Sequence, residues 1–177
     1  NILTMKHRKI TIILFISLFL NNLLIADTPH FLDFKYILNS SDAGKKAQNY
    51  LKKKLESGLK NISTKEKKIL DEEKEIINQK KLITQDQYKK RVTELRKKVL
   101  SLQNERKSLL DSVGKQRLKA KNTLLENLNP IMKDYMNEKK IRMVVDKKSL
   151  LLADEKLDIT KDIMSLLNKK LKSISLK

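Results

Sequence analysis

RMVVDKKSLLLAD, Arg142–Asp154, is the stretch whose reading decides the fold. Charged residues bracket two apolar clusters, Met143-Val144-Val145 and Leu150-Leu151-Leu152-Ala153, with Asp146-Lys147-Lys148-Ser149 between them. Short apolar runs on either side of a polar turn read as a β-hairpin. The residues around it are of another kind, rich in Lys and Glu and poor in turn-formers, which suits long helices. Arg142–Val145 and Leu150–Ala153 are therefore expected to pair as strands and to anchor the helices.

Outward toward the N-terminus, helix-favouring residues run almost unbroken from Ala43 to about Met136. In a first arm Leu55, Ile62, Ile69, Ile76 and Ile83 recur every seven residues, with Leu51, Leu59, Leu70 and Ile77 beside them. That spacing makes one narrow apolar stripe on a charged rod. In a second arm Tyr88, Val92, Leu95, Val99, Leu102, Leu109 and Val113 follow the 4-3 spacing of a coiled-coil seam, interrupted at Arg106. Strict heptads imply left-handed wrapping of the two arms. Between them Thr84 and Gln87 form a capping box, with Asp86 in the first turn. The expected form is an antiparallel helical hairpin whose tip lies near residues 82–84. Gly114 is a place where the second arm can loosen, and Asn129-Pro130 is expected to kink it or to cap a new helix.

The ends of the chain must supply the anchor. Pro29–Tyr36 reads as a short strand, and Asp158-Ile159-Thr160 opens a last amphipathic helix carrying Ile163, Leu166 and Leu167. Residues 27–42 and 137–177 are thus assigned to a small β body and 43–136 to the arms. Three short strands and one helix bury too little to stand alone, so oligomerisation is expected.

Composition agrees with a rod more than with a compact enzyme. The 177 residues are 34% charged and 5% aromatic, with three Gly, two Pro and no Cys, which excludes disulfides and thiolate chemistry. Met5-Lys-His-Arg-Lys9, Ile10–Leu20 and Ala26 match the n-region, apolar core and cleavage position of an export signal. Residues 1–26 are read as that signal, cut after Ala26, with Asn1–Thr4 upstream of the start Met; the mature chain would lie outside the cytoplasm. The whole chain carries +19, and residues 45–121 alone hold 24 Lys and Arg against 10 Asp and Glu. Such an excess can serve phosphates, acidic partners such as anionic lipid surfaces or net-negative polypeptides, or plain solubility. Export and the lack of aromatics among the bases speak against nucleic acid.

Catalytic and cofactor chemistry find no support. His30 is the single histidine after the signal, no Gly precedes Gly44-Lys45 at phosphate-loop spacing, and Asp71-Glu72-Glu73-Glu75 point around several sides of a helix without histidine partners. No enzyme activity, metal or cofactor is expected, and those acids read as a solvated face.

Two groups of residues carry a family resemblance. Near the start stand Phe31-Leu-Asp33, Ile37-Leu38, then Ser41-Asp-Ala-Gly44-Lys45-Lys-Ala47 and Leu51. Near the end stand Val144-Val-Asp146-Lys147, Leu150-Leu-Leu-Ala153-Asp154, Asp158-Ile-Thr160 and Leu167-Asn168. In this order around a hairpin they resemble the Skp/OmpH family of periplasmic chaperones for outer-membrane proteins. The resemblance implies an α+β, mostly α, homotrimer: strands of three subunits form the body, and helical tentacles surround a cavity for unfolded β-barrel precursors, without ATP. Pro130 and Leu171–Lys177 depart from the family pattern. The residues expected in the trimer body are Phe31, Phe34, Met143, Val144, Val145, Leu150, Leu151, Leu152 and Ala153. Those expected to meet clients are Leu70, Ile77, Leu110, Lys74, Lys81, Lys97 and Lys107. An anionic lipid or lipopolysaccharide surface is a further expected partner. The alternative function is a secreted coiled-coil tether or adaptor of the cell envelope.

Overall fold

Ser41 and Thr84 each start a long helix. Ser41 accepts the N–H of Gly44 at 3.2 Å; Thr84 accepts that of Gln87 at 3.3 Å while the Gln87 side chain takes the Thr84 N–H at 3.1 Å. Each cap satisfies orphan donors and contributes about 1 kcal/mol. The computed structural model describes residues 28–176; the export signal expected over 1–26 lies outside the described residues. In chain order the elements are β1 (His30–Leu32), α1 (Phe34–Ser40), α2 (Asp42–Gln79), α3 (Gln85–Lys139), β2 (Val144–Asp146) and α4 (Thr160–Lys170). At about 1.5 Å per residue, the 38 residues of α2 and 55 of α3 make rods of roughly 57 and 82 Å.

α2 and α3 form the expected antiparallel hairpin, turning through residues 80–84. Of the heptad positions, Ile62, Ile76, Leu102 and Val113 are buried and the others half-buried, except Val99 at the edge of exposure. A Cβ on Gly58 would lie 2.5 Å from a Leu109 methyl, so the Leu109 side chain packs over the bare glycine backbone, a contact the heptad count does not reveal.

At the base the structure departs from the expected three strands. β1 and β2 pair in parallel, with Phe31 opposite Val145, and there is no hairpin. The Asp146 carboxylate captures the Lys148 N–H at 3.2 Å and Lys147–Ser149 closes as a 3-10 turn. Asp154 repeats the device on Lys156 at 2.9 Å. Both aspartates offer the backbone a local turn in place of a ladder, so Leu150–Ala153 between them forms no strand. Likewise Pro29–Tyr36 is not one strand: the Asp33 carboxylate takes the Tyr36 N–H at 2.7 Å and starts α1. The place of the missing strand is filled by a bridge from Phe31 to Asp158, with the Ile159 N–H on the Phe31 carbonyl at 2.9 Å.

Pro130 neither ends α3 nor opens a new helix. Its neighbours Leu128 and Ile131, with Leu124, are locked into the body core beside Leu32, Ile37, Ala43, Ile141, Ile159, Ile163 and Leu167. That burial outweighs the lost backbone hydrogen bond, whose helix-interior cost is about 3 kcal/mol. The core thus reaches into the stretch read as arm. Leu166, expected to join Ile163 and Leu167 beneath α4, is instead 37% exposed.

Gly58→Leu is expected to lower stability by roughly 1–2 kcal/mol, an overpacking cost of about 2–3 kcal/mol against Leu109 less the gain in helix propensity of about 1 kcal/mol. Thermal unfolding followed by circular dichroism would show it as a drop in Tm; an unchanged or raised Tm would contradict the close approach.

Candidate functional site: the open face of the body and the basic arms

The body is knotted at Thr160. Its hydroxyl accepts the Asp33 N–H at 2.8 Å and donates to Asp158, whose carboxylate also takes the Thr160 N–H at 2.9 Å. Lys147 sits 3.5 Å from the other carboxylate oxygen and 5.9 Å above the Phe31 ring. Burial pushes the Asp158 pKa up, but the Thr160 hydrogen bonds and the Lys147 ammonium outweigh it and hold the group below the usual carboxylate range. A second tie joins the helix ends, with the Asp42 N–H on Asn168 at 2.8 Å. Burial, then the 2.5 Å hydrogen bond to Asp162, raise the Tyr135 phenol to about 12.

Beside this knot lies an open apolar face. Leu151 and Leu152 are 107% and 92% exposed, and with Phe31, Leu150, Ala153 and Lys147 they line one concavity. Phe31, Phe34 and Val144 belong to the chain's own core or pack against it or beside β2; Val145 is half-buried, and Met143 points outward. The residues read as the trimer body therefore divide into an inner set and an outward set. Adjacent, fully exposed leucines make a contiguous apolar patch on a small body. Among the described residues β1 is the one strand paired with β2.

Along the arms, charges are sorted by direction. Glu66, Glu72, Glu75 and Glu105 reach across to Arg106, Lys98, Arg91 and Lys65 at 2.7, 2.7, 3.4 and 2.7 Å. Asp71, Glu73 and Glu75 are exposed, in keeping with a solvated face, and Glu72 and Glu75 also pair with the facing helix. Exposed pairs of this kind contribute little stability, about 0–1 kcal/mol each, but they turn acids toward the partner arm. Lys74, Lys81, Lys97 and Lys107 are exposed and have no ion pair among the described residues. Leu70, Ile77 and Leu110 are 54%, 59% and 50% exposed, off the seam. Leu82, Leu100 and Leu118 are exposed too, and the sequence reading passed over them. Their signal was available: each is an apolar residue outside the 4-3 step. The result is a long surface of separate leucines among lysines.

The buried Nδ1 of His30 has no hydrogen-bond partner. Among the described residues no three His, Cys, Asp or Glu converge as a metal site, and no helix is long and apolar enough to cross a membrane.

The model of the family described as outer membrane protein (OmpH-like) matches residues 30–167. The chain belongs to the OmpH-like family. Among solved structures it is similar to an OmpH-like protein of Caulobacter crescentus CB15 that has been assigned as an outer membrane chaperone. That similarity has a TM-score of 0.77 at 20% identity, covering 84% of this chain and 89% of the other. At that identity the likeness shows the fold. No curated protein matches the sequence significantly. Within the OmpH-like match fall Asp33, Asp42, Asp158 and Thr160, the residues that stitch the body together.

Asp158→Asn is expected to destabilise the body by roughly 1–3 kcal/mol at neutral pH. With its folded pKa below the unfolded value of 3.8, Asp158 contributes fully above that value and loses its contribution as pH falls through the folded pKa. The gap between parent and variant in urea unfolding should therefore close as pH drops below about 4. A gap independent of pH would contradict the ionised, hydrogen-bonded carboxylate.

Proposed function

We propose that this OmpH-like protein is an ATP-independent holdase chaperone of the periplasm, which binds unfolded outer-membrane β-barrel precursors and keeps them from aggregating. The observation that carries this reading is the arm surface. It offers single leucines and unpaired lysines along roughly 57 Å or more of helix and no enclosed pocket chemistry. Many weak contacts suit a client that must be held and then released unchanged. Strands of a barrel alternate apolar and polar residues, so an unfolded barrel has apolar side chains for the leucines and polar or acidic ones for the lysines. The same basic surface suits an anionic lipid or lipopolysaccharide headgroup layer.

The working unit in this reading is a homotrimer assembled through the open face of the body. Leu151 and Leu152 would be covered by neighbouring subunits, and the free edge of β2 would meet another strand. Three hairpins on one base would then enclose a client from several sides, which raises its effective concentration at each weak contact.

Leu151→Asp is expected to abolish assembly while leaving the monomer's helicity intact, since that side chain touches solvent in the single chain. Sedimentation that still gives a trimer would overturn this placement of the interface. For the activity, dilution of a urea-denatured barrel precursor into the protein should give soluble precursor without nucleotide. Replacing Lys74, Lys81, Lys97 and Lys107 together by Glu should weaken protection about tenfold, as should high salt, because the attraction is screened beyond about 3 Å at 1 M. Failure of the parent protein to protect at several-fold excess would sink the chaperone reading, and a single folded partner with indifference to unfolded chains would favour an envelope tether.

A further inference from the structure

The segment after α4 runs back onto the arms. Leu171 has extended dihedrals, φ −125° and ψ 106°, and packs with Ile174 against the body core. Ile174 also touches a second cluster at the root of the hairpin, where Leu176 is buried at 5% exposure with Ala47 and Leu51 of α2 and Val113 and Ala120 of α3. Ser173 and Ser175 face solvent. Inward and outward residues thus alternate over 173–176 as they do along a strand, although the segment pairs with no sheet.

The polar contact at this site addresses the main chain. The Gln116 side-chain amide donates to the Leu176 carbonyl. Gln116 is itself aimed: its oxygen accepts from the Lys54 ammonium at 2.9 Å, and Lys54 is held by the Ser112 hydroxyl at 2.9 Å. With its oxygen taken, Gln116 can turn only N–H toward the groove. A carbonyl is present in every peptide, so this recognition does not depend on which side chains follow.

We infer that the groove between the roots of α2 and α3, lined by Ala47, Leu51, Val113, Gln116 and Ala120, is a binding site for an extended polypeptide segment with apolar residues two apart, and that residues 171–176 occupy it as a displaceable internal ligand. The groove reads two apolar side chains on one face and one backbone carbonyl. This is the chemistry of a barrel-strand segment, so the inference rests on the chaperone reading and deepens it. The occupant is held by little: the two side chains, the Gln116 hydrogen bond and an exposed contact of Lys172 with Asp42 at 3.5 Å are its ties to the arms among the described residues. A tethered ligand with few contacts keeps an apolar groove covered, yet yields to a longer segment that gains more.

The chain has no Trp, so Ile174→Trp introduces a single reporter of docking. The probe is a Trp-free, fluorescein-labelled peptide of alternating leucine with serine and glutamate. On titration, the Trp emission should shift to the red as the segment leaves the groove, and an unchanged emission with peptide bound would overturn the inference. A second pair of variants does not depend on that reporter. Leu176→Asp, which undocks the segment, should tighten peptide binding about tenfold as the competing state is removed. Adding Gln116→Ala to it should weaken binding about fivefold, the effect of one hydrogen bond. Unchanged or weaker binding by Leu176→Asp would mean that the segment is only a strap. A parent that protects barrel precursors while peptide affinity ignores these variants overturns the groove alone; a parent that protects none, with the peptide results as expected, removes the chaperone reading and keeps the groove.

Discussion

The hydroxyl of Thr160 is the hinge pin of this structure. It accepts from the Asp33 backbone and donates to Asp158, tying the first strand, the last helix and the segment after β2 at one part-buried point. The need for such a point follows from the arms. Two helices sharing one seam bury a narrow stripe and leave most of their surface in water, so the hairpin needs a base that holds both roots. Here the first root is tied by Asp42 to Asn168, and the second by burial of Leu124, Leu128 and Ile131 in the body core. Two strands of three residues cannot do this by themselves. Side-chain hydrogen bonds to backbone take over part of the work that a larger sheet would do.

The same economy explains what the arms present to solvent. A seam that uses one face of each helix leaves the others free, and cross-arm pairs draw Glu66, Glu72, Glu75 and Glu105 inward. What remains outward is mostly lysine, with leucines spaced too far apart to pack on each other. The charges of such a surface stand in water, where salt screens them. The body has the opposite character. Its exposed apolar residues are adjacent, as at Leu151 and Leu152.

Much of this was legible in the residue order. Heptad spacing from Leu55 to Ile83 and from Tyr88 to Val113, with the Thr84–Gln87 box between, located both arms and their turn, because helix periodicity and capping are local properties. The residues Asp33, Ser41, Asp158, Thr160 and Asn168 marked the family before their contacts were visible. The strands that failed to form are all turned at aspartates. Asp33, Asp146 and Asp154 each captured a nearby N–H and turned the chain where apolar patterning suggested that a strand would begin or continue. Composition registers such residues as polar punctuation; it cannot say whether the punctuation joins two strands or replaces one.

Residue order alone set the two-helix rod, its tip and its excess of positive charge, since each depends on neighbours a few residues apart or on counting. Long-range packing settled that β1 pairs in parallel with a strand more than a hundred positions away, that helix continues through Pro130, that Leu109 packs over Gly58 and that Ile174 and Leu176 return to the arm roots. These depend on which surfaces meet across long separations in the chain. Burial of Leu128 and Ile131 can overrule a proline, and a Leu109 side chain can settle against a glycine, but neither contact is written beside the residue that makes it.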